Sequence, residues 1–271
     1  SVPSEALERQ RPRSGETPRT ARVRRQVNEY VLEMTNAERR RWRHAPLRHD
    51  PTLSQIACGH NHDMLEHDYM GHRDSDGQSP SARVHWQHRR LIGHVGENTY
   101  RGESLADSAS QADKRRWAAH IVESWLQSPA HRDNLLGTDW THIGGCVTQD
   151  SVEGRATQVL ATVHAYLARP LPQRLSPGDS VFVSFRTVGS AGWPTRYTFA
   201  PAGTSPPSAS ADTAWGRPLK ETLHLPDSAG TYALRVLLPA ERGEPKIVEG
   251  PRVLVQRADS SRDQRGPAAS R

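Results

Sequence analysis

The sequence predicts an α+β chain in two parts: helices around a small antiparallel sheet over residues 23–169, then a small all-β sandwich over 170–257. Three observations carry this. Apolar residues recur at helical spacing in three stretches before residue 128. Runs rich in β-branched residues follow between 141 and 168, bounded by Gly and polar punctuation. Beyond 170 the texture changes to short alternating runs separated by Pro, Gly and Ser, and a length of 271 residues fits two such units.

Residues 1–22 are rich in Pro, Ser and Arg and carry almost no large apolar side chains, so they cannot bury enough surface to offset ordering entropy and read as a disordered tail. Val27, Val31 and Met34, with Tyr30 beside them, form one buried helical stripe. After the break at "HAPLRHDP", Asp50 caps a second helix with Pro51 at its first position, and Leu53, Ile56, Ala57, His60 and Met64 share a face. His60 therefore faces the core, as a buried histidine satisfied by a backbone bond rather than as a ligand. The polar turn "GHRDSDGQSP" occupies 71–80, and "LIGHVGENTYRG" at 91–102 reads as a loop. A third helix places Ala118, Ile121, Val122, Trp125 and Leu126 on one face and stops at Ser128, because a residue before proline is pushed out of the helical region. Ser128 also caps the next helix, with Pro129 at its first position, so His131 lies in a first turn. "THIGGCVTQ" and "TQVLATVHAYLA" are strands joined by a turn around Asp150 to Arg155.

In the second part, "SVFVSFRTV", "RYTFA", "KETLHL", "TYALRVLL" and "PRVLVQ" predict five to seven strands of an immunoglobulin or fibronectin type, read as a binding or spacer module. Residues 258–271 form a second tail of tail-like composition.

The net charge is +6 and the pI about 9.7, with a mean hydropathy of −0.76. Arg outnumbers Lys 33 to 3 but is spread through tails, helices and loops, and no segment interleaves aromatics with a basic stripe. A specific nucleic-acid partner is therefore not expected. No apolar run approaches the length that crosses a bilayer. A first residue of serine fits a processed export product and a trimmed chain equally. The two cysteines, Cys58 and Cys146, leave two readings open: one disulfide, or two small buried thiols.

Polar clusters "GHRDSDG", "GEN" and "SPAHRDN" sit in loops or at helix ends, where reactive side chains converge on clefts. Histidine titrates near neutrality, so His72 and His131 with Glu97 have the chemistry to hold zinc with an open position or to activate water. Their separation along the chain hides whether they meet.

In order, "TNAERRRW", "APLRHDPTLSQIA", "GHNHDM", "GHRDSDGQSPSAR", "GENTY", "VESWLQSPAHRDNLL" and "IGGCV" resemble the CAP superfamily, the cysteine-rich secretory, antigen-five and pathogenesis-related group, in its compact bacterial form. The resemblance covers residues 24–168. It implies an α-β-α sandwich and a secreted or extracytoplasmic protein of the periplasm or cell surface. It also implies a cleft in which His72 and His131 take the two histidine positions and Glu97 one acidic position. Ser128 stands where animal and plant members carry a glutamate three residues after the helix tryptophan. That departure removes one negative ligand and weakens acid–base chemistry and strong divalent binding. Glu123, the nearest substitute, points away from the apolar stripe and reads as solvated.

The leading functional expectation is an exported binding module whose cleft takes a small apolar, lipid- or sterol-like ligand or an envelope component, with a divalent metal such as zinc on His72 and His131 as an accessory. The rival is a metal-dependent, peptidase-like hydrolase in which Glu97 activates water. The third is a structural cleft, with function in the surface loops or the β part. An enzyme is not the favoured expectation. Asn36, Arg39, Arg132 and Asn134 read as ties between loops and helices, Gly77 and Gly96 as backbone requirements, and Asp76 as a turn residue.

Overall fold

The computed structural model describes residues 18–189, 192–204, 215–239 and 245–257. Residues 1–17 and 258–271 of the two expected tails lie outside the described residues. The first helix, α1 (Pro18–Arg41), starts inside the segment that composition assigned to the N-terminal tail, and Val23, Val27 and Val31 form its buried stripe. Then follow β1 (Arg48–His49), α2 (Pro51–Glu66), α3 (Pro80–Gln87), β2 (Leu91–Glu103), α4 (Gln111–Gln127), α5 (Pro129–Leu136), β3 (His142–Gln149) and β4 (Glu153–Leu167).

The caps explain the helix starts. Asp50 Oδ1 accepts from the Thr52 and Leu53 amides at 2.8 and 3.1 Å, with Pro51 in the first turn. Ser110 and Asp113 form a reciprocal capping box on α4. Ser128 occupies the N-cap position of α5, but its hydroxyl makes no cap hydrogen bond, which corrects the side-chain role expected for it; its carbonyl instead accepts from the Arg132 amide at 2.8 Å.

The sheet order is β1-β3-β4-β2, with β4 central. Side chains alternate across it. Val147 and Ala156 pack with Val27, Val31, Ile121, Trp125 and Leu135, the faces of α1, α4 and α5. Cys146, Val159 and Val163 pack with Leu53, Ile56 and Val84, the faces of α2 and α3. The result is a three-layer α-β-α sandwich within an α+β chain. Cys58 on α2 and Cys146 on β3 form a disulfide with a Cα–Cα distance of 5.0 Å across the second of these interfaces. Gly144 shows how close that interface is: a Cβ there would lie 2.3 Å from the Leu53 carbonyl carbon.

β2 replaces the loop expected at 91–102. It pairs with β4 from Leu91↔Tyr166 to Glu103↔Glu153, with one irregularity at Ile92/Gly93. Its runs Leu91–Gly93 and Glu97–Tyr100 are buried, so the period-2 alternation that identifies a half-exposed strand is absent. Three glycines and an asparagine inside it also read as loop composition.

The C-terminal part comprises β5 (Arg174–Leu175), β6 (Ser180–Phe182), β7 (Phe185–Thr187), β8 (Arg196–Pro201), β9 (Arg217–Pro218), β10 (Thr222–His224), β11 (Gly230–Leu238) and β12 (Lys246–Val255). One sheet runs β5-β12-β11-β8-β9, and β6 pairs with β10. The run "SVFVSFRTV" divides into β6 and β7, and β7 joins the first part's sheet by pairing with β4, Leu167 opposite Phe185. Ile92, Ala165 and Leu167 belong to the same buried cluster as Tyr197, Leu234 and Val248. One core therefore crosses the junction. Arg89 fastens it further, donating to the carbonyls of Leu171 at 2.9 Å, Pro172 at 3.0 Å and Arg252 at 2.7 Å.

Candidate functional site

The turn after α2 is held from below by Asp63, 3% exposed, whose carboxylate accepts from the Ser75 amide at 2.8 Å, the Ser75 hydroxyl and the Tyr69 hydroxyl. Asp74 closes the turn by accepting from the Gln78 amide at 2.7 Å, and Gly77 takes φ +78°, a left-handed conformation that glycine adopts without strain. From the other side Arg83, on α3, donates to the carbonyls of His72 at 2.8 Å and Gln78 at 3.0 Å.

This frame brings His72 to Glu97 on β2. His72 Nδ1 donates to Glu97 Oε1 at 3.0 Å, and Arg83 Nη2 donates to Glu97 Oε2 at 2.5 Å. The Glu97 side chain is 1% exposed, so both carboxylate oxygens face protein donors rather than solvent. The hydrogen bond to Glu97 holds the His72 imidazole above its usual pKa, against the opposing effect of desolvation. His131, in the first turn of α5, lies edge-on to His72 with ring centroids 6.3 Å apart. Burial, and then the neighbouring His72 charge, push the His131 pKa down. The cleft thus presents one imidazole biased toward the charged form beside one biased toward the neutral form.

His60, 1% exposed, sits behind the cleft as the helical stripe predicts. Its Nε2 donates to the Gly71 carbonyl at 2.8 Å and lies 3.7 Å from Glu97 Oε1, while burial lowers its pKa. Ser128 makes no hydrogen bond or ring contact with His72, Glu97 or His131 among the described residues. Glu123 is exposed and, among the described residues, accepts from Gln127 at 3.2 Å. The expected scaffold ties are present for three residues. Asn36 exchanges bonds with the Leu47 backbone, Arg39 donates to the Ala45, Leu135 and Gly137 carbonyls, and Asn134 donates to Glu97 O at 2.9 Å. A Cβ on Gly96 would meet Asn134 Oδ1 at 2.6 Å, so α5 approaches β2 directly there.

Arg83 and Asp63 are the two functional supports that sequence reasoning missed. Arg83 lies on a short helix hidden in the motif after the turn, and the signal for it was the Ser79-Pro80 start, the same pair that opens α5.

Residues 32–163 match the family model described as the cysteine-rich secretory protein family, CAP. The segment is a CAP domain. Two curated relatives from Bacillus subtilis (strain 168) share it. The uncharacterized protein YkwD is 32% identical over 127 residues, 45% of this chain and 43% of its own length. The uncharacterized membrane protein YlbC is 32% identical over 114 residues, 42% of this chain and 29% of its own length. The chain thus spans less than half of either relative. A solved extracellular protein containing an SCP domain from Bacillus anthracis str. Ames is 26% identical, with a TM-score of 0.43, over 58% of this chain and 49% of that one.

Family resemblance raised zinc as an accessory, and the donor set of the CAP cleft can be tested for it. Two imidazoles are available, but Glu97 stands behind His72 as an orienting carboxylate, with its second oxygen held by Arg83. Among the described residues no group of three or more His, Cys, Asp or Glu side chains is arranged to hold a metal ion. These residues do not fit the three-ligand site that catalytic zinc requires. Nor is Glu97 presented to a water that it would activate. What the arrangement offers chemically is a pair of open imidazole rings on a rigid wall.

Proposed function

We propose that the chain is an exported binding protein whose CAP cleft takes a polar, negatively charged group of an envelope component. The observation that carries this reading is the engagement of both Glu97 oxygens by Arg83 and His72, which neutralises the acid and leaves His72 and His131 as the groups offered to a ligand. A charged imidazole donates to oxyanions and a neutral one both donates and accepts, so the pair suits a polar oxygen-rich group better than an apolar ligand. The Cys58–Cys146 disulfide supports export, since such bonds persist in oxidising compartments. Among the described residues no helix is long and apolar enough to cross a membrane.

The test is cosedimentation of the full chain with lipid-free wall polymer and, separately, with lipid vesicles. Wild type, His72→Ala and His131→Ala, each confirmed to be folded by its melting curve, are compared at pH 5.5 and 8. The expected result is saturable binding to the polymer, weakened in both variants and weaker for wild type at the higher pH, where less of His72 is protonated. Binding only to vesicles would restore the apolar-ligand reading. Binding equal in all three proteins would remove the cleft from the function.

A further inference from the structure

The junction between the two parts contains a groove of about 600 Å³ that the CAP cleft does not use. It is lined by Arg73, Gln78 and Ser81 from the turn and the start of α3, His94 from β2, and Glu249 and Arg252 from β12. Neither part forms it alone. His72 turns from this loop to the cleft, while Arg73, the next residue, lines the groove.

The charges that line the groove differ in one respect. Arg73 Nη1 donates to the Gly77 carbonyl at 2.7 Å, and Glu249 lies 3.5 Å from Arg235 Nη2. Asp76 is likewise engaged. Arg252 has neither a side-chain hydrogen bond nor an ion pair among the described residues, although the Glu249 carboxylate acts on its charge from a distance, and its Nε is a buried donor without an acceptor. A buried donor left unmet is costly, and a guanidinium in that condition is met by an oxyanion better than by any other common group, because its planar fork matches two oxygens at once. The backbone of Arg252 is held independently of its side chain, since its carbonyl accepts from Arg89. The N-cap Ser79 and, from the first turn of α3, Ser81 and Ala82 share the lining and bring the positive end of the helix dipole to the same space.

We propose that this groove is a second binding site, for a small polar ligand carrying an oxyanion, with Arg252 as its receptor. The shared chemistry is a carboxylate, as at a peptide end, or a phosphate ester. The site stands apart from whatever the His72 cleft binds.

The experiment is a ¹H–¹⁵N NMR titration of the full chain with N-acetylglycine, with inorganic phosphate, and with the neutral N-acetylglycinamide, repeated on Arg252→Gln and Arg252→Lys. The expected result is saturable movement of the Ser81, Gly93 and Gly203 amides with at least one anion and none with the neutral amide. Arg252→Gln should weaken binding by about tenfold or more, with an unchanged melting temperature, and Arg252→Lys, which keeps the charge but loses the fork, should fall between. A response to N-acetylglycine alone identifies a carboxylate ligand, and a response to phosphate alone a phosphate ester. The proposal is overturned if no amide moves, if the neutral amide moves them equally, or if binding survives intact in Arg252→Gln.

Discussion

Replacing Arg83 by Met removes the counter-charge of Glu97 without opening a large void. Both partners are buried, Arg83 at 4% and Glu97 at 1% side-chain exposure, and the same guanidinium donates to the His72 and Gln78 carbonyls. Removing one member of a buried ion pair leaves an uncompensated charge and costs about 3–5 kcal/mol. For a chain of this size that corresponds to a fall in Tm of roughly 6–20 °C. Glu97→Gln should cost a similar amount by stranding Arg83, whereas the double variant removes both charges. The coupling between the two sites should therefore be about 2 kcal/mol or more, in the direction that makes the double variant less damaged than the sum. Urea unfolding of the four proteins at pH 7, followed by tryptophan fluorescence, measures this. An NMR titration of His72 adds an independent readout, since loss of the carboxylate in Glu97→Gln should lower the His72 pKa. Single substitutions costing under about 1 kcal/mol, or costs that add without coupling, would refute the account of Glu97 as a neutralised, orienting group.

The disulfide closes a separation of 88 residues, so replacing both cysteines by Ala should destabilise the chain by about 4–5 kcal/mol on the chain-entropy account, read as a lower urea midpoint. His85 is fully buried, and burial, followed by the charges of Arg252, His88 and His94, lowers its pKa to about 3. An unfolded histidine titrates near 6.5, so the unfolded chain binds the extra proton and stability falls as pH drops from about 6.5 toward 3; His85→Leu should abolish about 2 kcal/mol of that loss at pH 5, seen as a flatter stability–pH curve. Gly144→Ala drives a methyl group into the α2 backbone and should lower the Tm by far more than a surface Gly→Ala change, as calorimetry would show. A chain ended at residue 169 uncovers Ile92, Ala165 and Leu167 and should aggregate or melt without cooperativity in size-exclusion and calorimetric runs; a monomer with the parent Tm would show that the shared core is dispensable.

The helices α1, α2 and α4 were legible because each turns one apolar stripe inward, and the starts of α2 and α5 because Asp50-Pro51 and Ser128-Pro129 mark them. β2 was not, since a strand buried along most of its length has no alternation to read, and its Gly96 answers to α5 rather than to local conformation. His72, Glu97 and His131 were recognised as a set only through the ordered motifs. Their juxtaposition depends on α3, an eight-residue helix too short to show periodicity. Arg83 and Asp63 stayed hidden for a related reason: among 36 Lys and Arg and 30 Asp and Glu residues, nothing local separates a buried charge from a solvated one. Only the tertiary partner does. The cysteines posed the same problem, as two thiols in sequence carry no information on the 5.0 Å that joins their Cα atoms.

In sequence the C-terminal part reads as a binding or spacer module, and a spacer needs a flexible joint. The joint here has the opposite construction. β7 is hydrogen-bonded to β4, the central strand of the CAP sheet, and Arg89 ties α3 to the carbonyls of Leu171, Pro172 and Arg252. A hinge between residues 168 and 185 would have to break these bonds together with the packing of Leu167 and Ile92 against Tyr197 and Val248. Backbone pairing and buried apolar area of this kind resist opening because both are lost at once. Within the CAP part the turn at 71–80 is itself held from either side, with Asp63 of α2 and Arg83 of α3 bonded to its backbone. His72 and Arg73 are then adjacent residues held in one geometry, aimed at two different spaces. A ligand in the groove has little means of moving His72, and a ligand in the cleft has little means of moving Arg252, so occupancy on the two sides of the turn should be independent rather than coupled.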